Sequence, residues 1–159
     1  MRLVLYQPEI PPNTGNVARL CAATNTPLHL IEPLGFSISD KQLKRAGLDY
    51  WPFVDVSVHP DWEAFEALIQ GTDPLARIVL TSARGGVPVH GFAFRPGDAI
   101  VLGPETRGLP EQLFERFPHR VRIPICCAGV RSLNLSTAAG ILLFEALRQT
   151  GGLADLPPE

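Results

Sequence analysis

Residues 121–149 read VRIPICCAGVRSLNLSTAAGILLFEALRQ, and this stretch decides the fold class. Positions 121–125 have the β-branched, apolar character of a strand. A polar-tipped loop follows, then a helix over about 135–149, closed by Gly151 and Gly152. Leu135, Ala138, Ala139, Ile141, Leu142, Leu143, Phe144, Ala146 and Leu147 leave that helix almost no polar face. A helix apolar around most of its circumference must be buried on several sides. In a small domain the economical burial is a sheet on one side and a second subunit on the other; the alternative is the core helix of a monomer.

Upstream, short apolar runs alternate with longer amphipathic ones, the pattern of an α/β domain with a mostly parallel sheet flanked by helices. Strands are expected at 3–6, 28–31, 54–58, 77–81 and 99–102. Helices are expected at 14–24, after a Pro-Pro-Asn start, and at 40–46, where Asp40 is placed to cap. Further helices are expected at 60–70, with Trp62, Phe65, Leu68 and Ile69 on one side, and at 110–117. Gly85 and Gly86 mark a turn. No linker or internal repeat interrupts residues 1–159, which read as one domain with a loose tail from about 152.

With 159 residues, 45% hydrophobic and 19% charged, the chain has a globular rather than a disordered composition. Its net charge of −2 excludes the strongly basic balance of a protein that coats nucleic acid. Any nucleic-acid contact must come from a local patch, or from two copies of one patch in a dimer. The cysteines, Cys21, Cys126 and Cys127, are odd in number and include no C-x-x-C, so neither a disulfide framework nor a zinc site is expected. The four histidines are scattered, and no metal is expected. No segment approaches a membrane span, and the first apolar run is too short for a signal peptide. A cytoplasmic protein is the expectation.

Three segments carry chemistry. In PEIPPNTGNVARLCAATN, 8–25, Asn13, Asn16 and Arg19 stand three apart on a helix near its N-terminus. Two amides and a guanidinium there suit a phosphate or a ribose; the alternative is that Asn13 caps the helix and Arg19 is solvated. In VLGPETRGLP, 101–110, glycines at the C-terminal end of a strand let a ligand approach the backbone, although the spacing is neither that of a dinucleotide fold nor of a P-loop. In the third segment, 122–140, Arg131, Ser132, Asn134 and Ser136 crowd before the buried helix. A cap needs one such residue and leaves the others unexplained.

Taken together, P-x-I-P-x-N-T-G-N-x-x-R, L-G-P-E-T-R-G-L-P and I-P-I…R-S-L-N-L-S resemble the three motifs of the SPOUT methyltransferases. The likeness is greatest to the small TrmL (YibK-like) branch, the tRNA wobble-position 2′-O-methyltransferases. LIEPLGF (30–36) and KRAGLDYW (44–51) extend it over nearly the whole chain. The resemblance implies a SPOUT fold with a C-terminal deep trefoil knot, which no periodicity could reveal. It implies a homodimer that takes S-adenosyl-L-methionine (SAM) and acts on the anticodon stem-loop of tRNA. The cofactor would meet Leu80, Thr81, Gly103, Glu105, Ile123 and Ser132. The catalytic, RNA-side set would be Asn13, Arg19, Glu105, Ser132 and Asn134.

Two features depart from the branch. The loop ICCAGVRS is about one residue longer than expected and carries a Cys-Cys pair, and Phe144 stands where a tyrosine is expected. The activity implied is methylation of the ribose 2′-hydroxyl of cytidine 34 or 5-carboxymethylaminomethyluridine 34. The alternatives are another tRNA position, ribosomal RNA, or an RNA-binding homologue without catalysis. Because guanidinium rarely releases its proton, the expected part of Arg19 is to grip phosphate and steady the developing alkoxide.

Overall fold

The structure, a computed structural model, describes residues 1–37 and 48–154. Seven parallel strands form one sheet in the order β3-β2-β1-β6-β4-β7-β5. They are β1 (Arg2–Tyr6), β2 (Leu28–Ile31), β3 (Val56–His59), β4 (Ile78–Thr81), β5 (Val87–Pro88), β6 (Ala99–Leu102) and β7 (His119–Arg122). The helices are α1 (Pro11–Ala23), α2 (Trp62–Thr72), α3 (Glu111–Arg116) and α4 (Leu135–Thr150).

Side chains alternate between two cores, as the two-residue period of a strand requires. Leu3, Leu5, Leu28, Leu30, Val79, Ile100 and Leu102 face one layer with residues of α1 and α4. Val4, Ile31, Ile78, Leu80, Ala99 and Val101 face the other, with Trp62, Phe65 and Ile69 of α2 and Leu113 of α3. Covering both faces explains why the central strands read as unbroken apolar runs.

Several boundaries differ from the sequence expectation. α1 begins at Pro11, with Ile10 as its cap and no side-chain cap bond. Proline suits those first positions because their N–H groups have no helical partner, and the reading of Asn13 as the cap is overturned. α2 begins at Trp62 because Asp61 accepts from the amide of Ala64 at 2.8 Å. The strand expected at 121–125 lies instead at His119–Arg122, aligned with β4 through Val79–His119 and Thr81–Val121. Pro124, lacking an N–H, cannot extend that ladder. The two-residue β5 was not foreseen. The expected helix at 40–46 lies outside the described residues.

The last helix follows its sequence closely. Asn134 accepts from the amides of Ser136 and Thr137, and Gly151 closes the other end at φ 75°. Beyond it, Leu153 packs against the first core. The expected all-round burial of α4 is incomplete in the single chain. Leu135, Ala139, Leu142, Leu143, Ala146 and Leu147 are buried, while Thr137, Ile141, Phe144 and Arg148 form an exposed stripe.

Because every strand is parallel, the loops after β1, β4, β6 and β7 emerge at one edge of the sheet. The chain order also reverses there, with β2 on one side of β1 and β6 on the other. Open α/β sheets bind ligands at such a point.

Candidate active site

At that edge lies a cleft of about 850 Å³, within the range of small-molecule sites. Its walls are the loops 81–84, 102–109 and 123–134, and its floor is apolar, with Leu102, Ile123, Leu135, Ala138 and Leu142. Asn13 and Ile10 close one end. Gly103 is required by packing: a Cβ there would lie 2.5 Å from the backbone nitrogen of Leu109 and 2.7 Å from the carbonyl carbon of Gly108. The loop after β6 therefore folds back on its own strand end. Any larger residue would force the loop away from the strand end.

The three motif segments meet through one polar network. The Glu105 carboxylate accepts from the backbone amides of Glu9 at 2.9 Å and Ile10 at 3.3 Å, and from Asn13 Nδ2 at 3.0 Å. Asn13 Oδ1 in turn accepts from Asn134 Nδ2 at 2.9 Å. Asn134 Oδ1 takes bonds from the amides of Ser136 and Thr137 and from the Ser136 hydroxyl. One asparagine thus caps α4 and fastens it to α1. Asn13 is buried, so leaving its amide unpaired would be costly.

A second clasp was not singled out in the sequence. Glu9 accepts from the amide and the hydroxyl of Thr106, at 2.9 and 2.8 Å, while its own amide donates to Glu105. Arg107 donates to Gln7 Oε1 at 2.8 Å. Glu9 stands within the first motif, but a carboxylate five residues before an expected helix reads as ordinary surface.

Of the expected cofactor residues, Thr81, Gly103, Glu105, Ile123 and Ser132 line the cleft. The side chain of Leu80 belongs to the opposite core, leaving only its backbone to face the strand end. Arg131 lines the cleft and is exposed along with Ser132. Cys126 and Cys127 are exposed in the same loop.

Arg19 is not brought to the cleft. Helix geometry turns about 100° per residue, so six residues carry Arg19 roughly 120° around α1 from Asn13 and about 9 Å along it. Asn13 is buried against Glu105, whereas Asn16 and Arg19 are exposed. The three do not share one edge.

The SpoU rRNA Methylase family pattern matches residues 1–144. The chain belongs to the SpoU methylase family. It is 55% identical over 149 residues to the tRNA (cytidine(34)-2'-O)-methyltransferase of Methylovorus glucosotrophus, covering 92% of this chain and 94% of that one. To the enzyme of the same name from Escherichia coli K12 it is 46% identical over 154 residues, covering 95% and 94%. A solved structure on the 2-OH methylation of C/U34 on tRNA superposes with a TM-score of 0.86 at 51% identity, covering 93% of this chain and 94% of its own. The fold of this SpoU methylase is that of the SPOUT methyltransferases. No helix among its described residues is long and apolar enough to cross a membrane.

Proposed function

We propose that this SpoU methylase is a SAM-dependent tRNA ribose 2′-O-methyltransferase, acting on the wobble nucleotide, cytidine 34 or 5-carboxymethylaminomethyluridine 34. The observation that carries the reading is the Glu105–Asn13–Asn134 chain of hydrogen bonds. It joins all three motif segments around one cleft, in a protein 46% to 55% identical to enzymes of that name.

The cleft fits the cofactor. Its apolar floor suits an adenine and a thioether chain, and its backbone-lined rim supplies polar contacts. Thr81, Gly103, Ile123 and Ser132 would hold the group, with the backbone at Leu80. The chemistry such a donor supplies is a methyl on a sulfonium, passed in line to the ribose oxygen.

The protein's own task is then positioning and charge control. Ser132, exposed at the rim, orients the ribose or the donor. Glu105 and Asn13 act as braces, since their polar atoms are already engaged with the backbone and with each other. Asn134 sets where the loop ends and α4 begins. Arg19 lies outside this chain's own cleft, so in the proposed homodimer it acts at the cleft of the second copy, gripping an RNA phosphate and stabilising negative charge as the 2′-hydroxyl loses its proton to a phosphate oxygen or water. Its exposure leaves it available to RNA passing along α1.

The reading includes a homodimer in the cytoplasm and the threaded C-terminal knot. Support for the dimer is the exposed pair Ile141 and Phe144 on α4. Support for the knot is the path of the chain, which leaves β7 and lays α4 back against β6 and α1.

The test is transfer of radiolabelled methyl from SAM to tRNA prepared from cells lacking this modification. Label mapped to the 2′-oxygen of nucleotide 34 is the expected result. Label at another tRNA position, or only on ribosomal RNA, would replace the substrate, and no transfer would remove the enzyme reading.

A further inference from the structure

Arg19 has one partner among the described residues, and it is a ring. The guanidinium carbon lies over Tyr50, 4.7 Å from the ring centroid, and the side chain donates to no oxygen among the described residues. Tyr50 sits in a 3-10 turn, Leu48–Phe53, which packs against α1. The ring is itself only partly covered, at 39% exposure. Its hydroxyl makes no hydrogen bond among the described residues.

Four other arginines are spent differently. Arg77 is fastened to Asp98, Arg116 to Glu66, Arg148 to Glu145, and Arg107 to Gln7. Each has given donors to a protein oxygen. A guanidinium over a ring face is held without spending any of its five N–H groups, because those lie in its own plane. Holding it also removes rotamer freedom before the anion arrives, and that entropy would otherwise be lost on binding.

We propose that Tyr50 is the positioning residue for Arg19, its ring holding the guanidinium in place with every donor free for the RNA backbone. The inference rests on the reading that Arg19 acts on the RNA. Tyr50 touches no reacting atom. What matters is its aromatic face, and the hydroxyl is dispensable.

Four variants test this: Tyr50→Phe, Tyr50→Leu, Arg19→Ala, and the double variant Arg19→Ala with Tyr50→Leu. Single-turnover methyl transfer to undermethylated tRNA is measured at saturating SAM and tRNA. Tyr50→Leu should slow transfer by about threefold to tenfold, the size of a partly desolvated cation–π contact. Its SAM affinity by calorimetry and its thermal midpoint should stay at wild-type values. Tyr50→Phe should remain within about twofold of wild type, since the ring is kept. In the Arg19→Ala background, followed over hours, Tyr50→Leu should add nothing. Tyr50→Gln takes the place of the leucine variant if that chain folds poorly. The Arg19 side-chain proton resonances give an independent readout: ring-current shifts present in wild type and Tyr50→Phe, lost in Tyr50→Leu or Tyr50→Gln.

Normal transfer by Tyr50→Leu beside an impaired Arg19→Ala would overturn the positioning role and leave Arg19 standing. The same loss from Tyr50→Leu with or without Arg19 would mean that the ring meets the RNA directly, which also overturns it. Normal transfer by Arg19→Ala would remove the reading on which the inference rests.

Discussion

Asn134 Nδ2 donates to Asn13 Oδ1 at 2.9 Å, joining residues 121 positions apart in sequence. The same Asn134 caps α4 through its other side-chain atom. These two duties can be separated by substitution. Asn134→Asp keeps an acceptor for the Ser136 and Thr137 amides and adds charge favourable to a helix N-terminus. It also removes the donor to Asn13 and sets a carboxylate near Glu105. It should be less destabilised than Asn134→Ala, losing only what the unpaired Asn13 oxygen costs, while methyl transfer falls at least tenfold, about 1.4 kcal/mol of lost transition-state stabilisation. Asn134→Ala loses both duties and should be destabilised by about 1–2 kcal/mol as well. Denaturant melts beside single-turnover rates check this. Wild-type activity in Asn134→Asp would mean that the cap alone matters.

The second core holds a titratable pair with no evident part in the chemistry. His29 and His59 stack at 5.2 Å between centroids, with Nδ1 of one 2.9 Å from Nε2 of the other. Burial, then the neighbouring His59 and Arg2, hold His29 down to about 4, and burial also lowers His59. The unfolded chain takes up a proton near pH 6.5 that the folded chain refuses until about pH 4. Stability should therefore be full above pH 6.5 and decline as pH falls towards 4. The loss should reach on the order of 3 kcal/mol from His29 alone. Urea unfolding at pH 7.5, 5.5 and 4.5 measures it. His29→Gln, which cannot titrate, should flatten that part of the profile.

Much of this was written into the sequence. The apolar runs of β1, β2 and β6 and the helix that became α4 were legible, because a strand buried on both faces and a helix closed by Asn134 and Gly151 need particular residues. The motif residues Asn13, Glu105, Ser132 and Asn134 were legible as candidates from the three motifs, with a helix cap as the alternative for Asn13 and for one of the pair before α4. Their bonding was not, since Glu105 reaches Glu9 and Asn13 across more than 90 positions. Nor was Tyr50 beneath Arg19, where local spacing contains no signal. The start of β7 was missed for a similar reason: His119 and Arg120 read as polar, and their pairing with β4 decides the strand.

The exposed stripe of α4 gives an assembly prediction. Ile141 and Phe144 are 39% and 48% exposed, on a helix otherwise packed into the first core. If that stripe is the two-fold contact, Phe144→Glu places like charges opposite one another across the axis. Light scattering should give twice the 17.3 kDa chain mass for the wild type and the single mass for the variant. Circular dichroism should be the same for both, as position 144 faces away from the core. A dimeric Phe144→Glu would move the interface elsewhere.

Arg19 gives the sharpest separation between binding the donor and acting on the RNA. It sits on the exposed side of α1 and is absent from the cleft lined by Thr81, Gly103, Ile123 and Ser132. Arg19→Ala should therefore leave SAM affinity nearly unchanged. Its methyl-transfer rate at saturating substrates should fall by about a hundredfold or more, near 3 kcal/mol, as for loss of one charge-stabilising donor. Arg19→Lys should recover only part of this, because an ammonium keeps the charge without the planar fork that fits phosphate. Ser132→Ala, at the cleft rim, should weaken SAM binding as well as the rate. The loss in Arg19→Ala should fall on kcat rather than on KM for tRNA, since the contact strengthens as charge develops on the ribose oxygen. Calorimetry with SAM and single-turnover kinetics with tRNA measure the two sides independently. A rate change below about threefold in Arg19→Ala is too small for such a donor and would make Arg19 a solvated surface residue.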